Sequence, residues 1–106
     1  MAQAVLDCGR LPDGAAEAAR VFYSDWLPKV TGALAGEVDT LAIVMNVADY
    51  DHADWRRAVA HDLARQHAPK RVNVVSGEGA ALAATLAYLE CAPGVTGHYL
   101  PLEQQP

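Results

Sequence analysis

At 106 residues with 52% hydrophobic content, the chain makes one domain with room for a single core. A net charge of −5 and eight scattered Lys and Arg argue against nucleic acid as a partner, because neutralising phosphates needs clustered cations. No stretch is long and apolar enough to cross a membrane, and the N-terminus lacks the basic region of a secretory signal.

The first strand is expected over Ala2 to Cys8, where Ala4, Val5 and Leu6 precede Asp7 and Gly9 ends the run. Leu11-Pro12-Asp13-Gly14 reads as a turn. Asp13 is placed to cap a helix running to about Ala35, and Phe22, Trp26, Val30 and Leu34 recur every four residues as one stripe. Pro28 inside that helix predicts a bend or a split, and Gly36 a stop. Thr40 to Val47 is the second strand. The loop Asp49-Tyr50-Asp51-His52-Ala53-Asp54 follows, with Asp51 and Asp54 spaced as a capping box. A second helix is expected from about Ala53 to His67, with Trp55, Val59 and Leu63 as its stripe, Ala58 extending it and Pro69 stopping it.

Arg71 to Val75 is the third strand, with Val72, Val74 and Val75 in an apolar run suited to a parallel sheet covered on both faces. Ser76-Gly77-Glu78-Gly79 leads into a third helix from about Gly79 to Cys91, rich in alanine, with Leu82, Leu86 and Leu89 as its large apolar residues. Pro93-Gly94 breaks it, a fourth strand lies around His98-Tyr99-Leu100, and Glu103 to Pro106 forms a frayed polar tail. Strict alternation specifies an α/β fold: a four-stranded parallel sheet in βαβαβαβ order, a Rossmann-like half domain spanning 1–106.

Leu63-Ala64-Arg65, Ala68-Pro69 and Arg71-Val72-Asn73-Val74-Val75 resemble the "LAxELAP…RVNxVxPG" run of short-chain dehydrogenases/reductases. Val95-Thr96-Gly97-His98 is similar to that family's "ITGQ", Leu27-Pro28 to the Leu-Pro of its interface helix, and Asp7-Cys8-Gly9 to its "NNAG". The likeness covers the C-terminal half of that family, strands four to seven. It implies a glycine-rich dinucleotide turn and a Ser, Tyr and Lys that exchange a proton with substrate. Neither is found in the sequence. Asp49 stands at the Tyr position, Ala53 at the Lys position, and Val47-Ala48 near the Ser position. Tyr50 is one residue off, and the fourth residue after it is Asp54. No redox chemistry, catalytic residue or cofactor is therefore expected.

Other clusters have plain explanations. Asp49, Asp51, His52 and Asp54 offer oxygen ligands for a divalent metal, but capping and solvation account for them, and no metal is expected. Ser76-Gly77-Glu78-Gly79 precedes a helix as a phosphate loop does, but Glu78 would repel phosphate and no P-loop Lys follows. His61 and His67 read as surface residues. Cys8 and Cys91 fit no metal or redox spacing and read as reduced thiols, with a cytoplasmic location.

Two functions follow as expectations. In the first, a non-catalytic domain acts through association, as a homodimer or higher oligomer or with a full-length dehydrogenase-like partner. The resemblance implies interface helices over Asp13–Ala35, Ala53–His67 and Gly79–Cys91, so the candidate contacts are Phe22, Trp26, Trp55, Val59, Leu82 and Leu86. In the second, a ligand binds at the strands' carboxyl ends, near Asp7, Cys8, Asn46, Asp49, Tyr50 and Ser76. Two structural expectations go with these. Gly79–Cys91 should pack on the sheet face opposite the other helices, as in the family's last crossover, and Ala2 to Cys8 should be an unprotected sheet edge.

Overall fold

Valines at 72, 74 and 75 place Arg71–Ser76 (β3) inside the sheet, and every residue of it is buried. The computed structural model describes residues 2–102. β3 pairs in parallel with Thr40–Met45 (β2), which is also buried throughout, from Thr40 opposite Arg71 to Met45 opposite Ser76. Gln3–Asp7 (β1) lies on the other side of β2, and Tyr99–Pro101 (β4) on the other side of β3. The strand order is β1-β2-β3-β4, all parallel, as expected from the alternation of strands and helices. The polar tail 103–106 and Met1 lie outside the described residues.

The first crossover is split, as Pro28 predicts. Ala15–Val21 (α1) runs into a π-helical segment, Phe22–Trp26, and then into Leu27–Leu34 (α2). The Leu27 N–H reaches back five residues to the Phe22 carbonyl. Pro28 has no N–H to offer, and its ring would crowd the carbonyl four residues earlier in an α-helix. The wider π turn just before it relieves that conflict.

The two expected caps are not formed. Gly14 occupies the cap position of α1 with extended backbone, and Asp13, one residue too early, faces Arg10 at 3.5 Å on the surface. Asp51 caps nothing: the chain makes a short 3₁₀ turn, Tyr50–His52, before Ala53–His67 (α3). Asp54 accepts instead from Arg57 at 3.1 Å. The last helix, Gly79–Glu90 (α4), ends one residue earlier than expected.

Two cores separate the helices. Leu41, Ile43, Met45, Val72 and Val74 pack with Phe22, Val30, Leu34, Val59, Ala60 and Leu63 of the first two crossovers. Ala42 and Val75 pack on the other face with Leu82, Leu86 and Leu89 of α4. α4 therefore lies opposite the other helices, and with strands in sequential order its crossover has the opposite hand to the first two. Consecutive cations fasten both layers. Lys70 Nζ donates to Leu34 O and Gly36 O at the end of α2. Arg71 Nη1 donates to Leu89 O and Ala92 O at the end of α4. Each places positive charge where a helix exposes carbonyls.

Candidate functional site

α3 buries Ala53, Arg56, Val59, Ala60 and Leu63, and His52 in the turn just before it is buried as well. Arg56 is wholly buried there. Its Nη1 donates to Asn46 O at 2.9 Å and to Tyr99 Oη at 3.4 Å. Tyr99 Oη is also 3.2 Å from Ser76 Oγ. The guanidinium carbon lies 5.5 Å from the Trp55 ring centre and 5.9 Å from that of Tyr99, within cation–π range. Beside it, His52 Nδ1 accepts from the Trp55 indole at 3.1 Å, which leaves Nε2 as the donor to Asp13 O at 2.8 Å. This neutral tautomer ties the start of α3 to the turn before α1.

The residues expected at the strand ends take up different tasks. Asp7 is exposed and accepts from Gly9 N at 2.8 Å, where Gly9 has φ 63°. Asn46 Oδ1 accepts from Leu11 N and holds the first loop. Asp49 and Tyr50 are exposed, Tyr50 at 89%. Ser76 is buried under Tyr99. Asn46 and Asp49 come together in a cavity of about 300 Å³ with Asp13, Ala48 and His52. Tyr50 lines a second, of about 290 Å³, with Ala48, Ala53, Arg57, Tyr99 and Pro101. Asp7, Cys8 and Ser76 line neither. Among the described residues no three His, Cys, Asp or Glu side chains are grouped to hold a metal ion.

Cys8 is buried, and its thiol is pushed up to about 12. Burial is the main cause and Asp7 adds to it, while Arg56 and Lys29 oppose. A thiol reagent should therefore modify exposed Cys91 in the folded protein and reach Cys8 only after unfolding. The folded pKa lies above the ordinary 9.0, so the buried thiol's contribution is fully present below pH 9.0 and is lost as pH rises toward 12. The slope is at most about 1.4 kcal/mol per pH unit. Urea unfolding at about pH 8 and about pH 10.5 should show a larger alkaline loss for wild type than for Cys8→Ala. Parallel losses would show that Cys8 ionises freely.

The expected interface residues divide in two. Phe22 and Val59 are fully buried in the chain's own core, which corrects their assignment to a surface. Repetition every four residues marks an apolar side of a helix, and both sit where that side meets the sheet. Trp26 and Trp55 are half-buried against the same core, and Leu82 and Leu86 against the other. Ala58 is exposed, and Arg56 and Ala60 take the buried places on α3. Sequence reasoning missed Arg56 and Tyr99, and weighed His52 only as a metal ligand. The signal for two of them was spacing: three and seven residues before Val59 lie Arg56 and His52, on the apolar stripe.

A parallel sheet with helices on both faces and a polar cluster at the strands' carboxyl ends defines a Rossmann-like protein. The family model described as SDR-like, short chain dehydrogenase-like protein, matches residues 6–102. The chain belongs to that family. No curated protein and no solved structure matches it. Among the described residues no helix is long and apolar enough to cross a membrane.

Proposed function

We propose that this short-chain-dehydrogenase-like domain is non-catalytic and acts by self-association, with β1 as the joining edge. The observation that carries this reading is the state of β1. Cys8 N donates to Val44 O and Asp39 N donates to Ala2 O, so the even-numbered residues turn their backbone groups toward β2. Gln3, Val5 and Asp7 then direct their N–H and C=O groups away from the sheet. Val5 is 49% exposed, and no Lys or Pro interrupts the strand. A two-fold axis through Val5 would set Val5 against Val5 of a second copy and Gln3 against Asp7. The sheet would then continue through eight strands with no like charges opposed. The exposed side of α4, made of Ala80, Ala81, Ala83, Ala84, Ala87 and Tyr88, supports close approach nearby. On the chemical side, exposed Asp49 and buried Ala53 stand at the family's Tyr and Lys positions, and neither supplies a phenol or an ammonium.

Light scattering during gel filtration at micromolar concentration should give twice the chain mass, and Val5→Lys should give the single mass. The Val5 N–H should exchange slowly in the wild type; Leu6, already turned toward β2, reports nothing about the edge. A wild-type monomer, or a dimer that Val5→Lys leaves intact, would overturn the role of β1.

A further inference from the structure

Arg56 is wholly buried, yet none of the ion pairs among the described residues includes it. A buried charge without a counter-charge is strongly unfavourable. Its Nη1 is occupied by Asn46 O and Tyr99 Oη, while Nε and Nη2 have no hydrogen-bond partner. Those two nitrogens form one edge of the planar guanidinium. Their N–H bonds run parallel, and that edge meets two oxygens of a carboxylate or phosphate at once. Arg71 has no such open fork: only its Nη2 is both buried and unpartnered.

We infer that Arg56 anchors a binding site for a small oxyanion, a carboxylate or phosphate, held on Nε and Nη2 at the carboxyl ends of the strands. Asn46–Asp49 runs between the two cavities there. Arg56 itself lines neither, and its guanidinium reaches the second only past Tyr99. The wall of that second cavity includes Ala53, one helical turn before Arg56, and Tyr99 itself touches Nη1. That contact is long at 3.4 Å, and a turn of Tyr99 away from Arg56 and Ser76 would open the guanidinium to this cavity. Tyr50, Pro101 and Ala48 then offer an apolar wall for the body of the molecule, which favours a carboxylate on an apolar or aromatic body. Ser76 Oγ, left by Tyr99, is a further donor.

The test is thermal unfolding at constant ionic strength with benzoate, acetate or inorganic phosphate, with chloride as the reference. Benzoate or phosphate should raise the Tm of wild type by several degrees, in a saturable way. Arg56→Met should lose that rise, whereas exposed Arg20→Met and Arg65→Met, which line neither cavity, should keep it. Benzoate acting above acetate would place the apolar body in the cavity; phosphate acting alone would identify free phosphate as the occupant. Should Arg56→Met not fold, the Arg56 Nε–H signal in a ¹H–¹⁵N spectrum of wild type gives the answer, because it should move in step with bound anion. An unmoved signal with no rise in Tm, or a rise that Arg56→Met retains, overturns the site. The outcome is separate from that of the association reading, since neither Val5 nor the β1 edge is altered.

Discussion

Replacing Asn73 with alanine should lower stability by roughly 2–4 kcal/mol, because two backbone groups lose their partners in a place where water cannot replace them fully. Asn73 is wholly buried in β3. Its Nδ2 donates to Val95 O at 3.1 Å, and its Oδ1 accepts from His98 N at 3.0 Å. The same loop is held again one residue earlier, where Val72 N donates to Thr96 Oγ1 and Gly97 N donates to Val72 O. Gly97 has φ 78°, a conformation side chains rarely adopt, and a Cβ there would lie 3.5 Å from Ala64. With β4 only three residues long, this clasp does much to set the position of that strand. Urea denaturation should show the loss, and hydrogen exchange at Gly97 and His98 should quicken more than at β2. An Asn73→Ala variant as stable as wild type would mean that the clasp is redundant.

That clasp gives the stretches that carry the family likeness a task in the fold itself. Arg71-Val72-Asn73 and Val95-Thr96-Gly97-His98 are the two stretches that carry the likeness most clearly, and in the structure they bind each other. Arg71 fastens α4, and Asn73 and Thr96 fasten the approach to β4. These residues serve the sheet.

The strands were legible because a β-branched run between turn residues has few other uses, as at Val72 to Val75. The side taken by α4 was legible through the family likeness, since right-handed crossovers alone would have left one apolar face bare. The caps were not legible. Asp13 and Asp51 are competent cap residues, but a shift of one residue in the helix start removes the geometry. The site was the least legible part. Arg56 looks like a surface cation beside Arg57, and only its spacing from Val59 and Leu63 hints otherwise. Burial of a guanidinium depends on what the end of β2 and a Tyr from the far end of the chain bring around it. Sequence periodicity carries no information on that.

Phe22→Ala should cost about 3–5 kcal/mol, the range for removing a buried aromatic side chain. The ring is fully buried at the start of the π-helical segment. It meets Tyr23 edge-on at 5.6 Å and Trp55 at 6.0 Å, so it joins the first crossover to α3. Without it the π turn loses its main contact with the core, and Trp55, which holds His52, loses a neighbour. The value of the variant lies in its concentration dependence. If Phe22 were an interface residue, as the family's helix pairing implies, the loss would shrink as protein concentration rises, because association would restore what dilution removes. A core role predicts the same loss in urea midpoint at every concentration. Val5→Lys should behave in the opposite way: its effect should follow concentration and vanish under conditions where the wild type is also monomeric. A Phe22→Ala loss that scales with dilution, together with a Val5→Lys protein that still dimerises, would move the interface from the β1 edge to the helices.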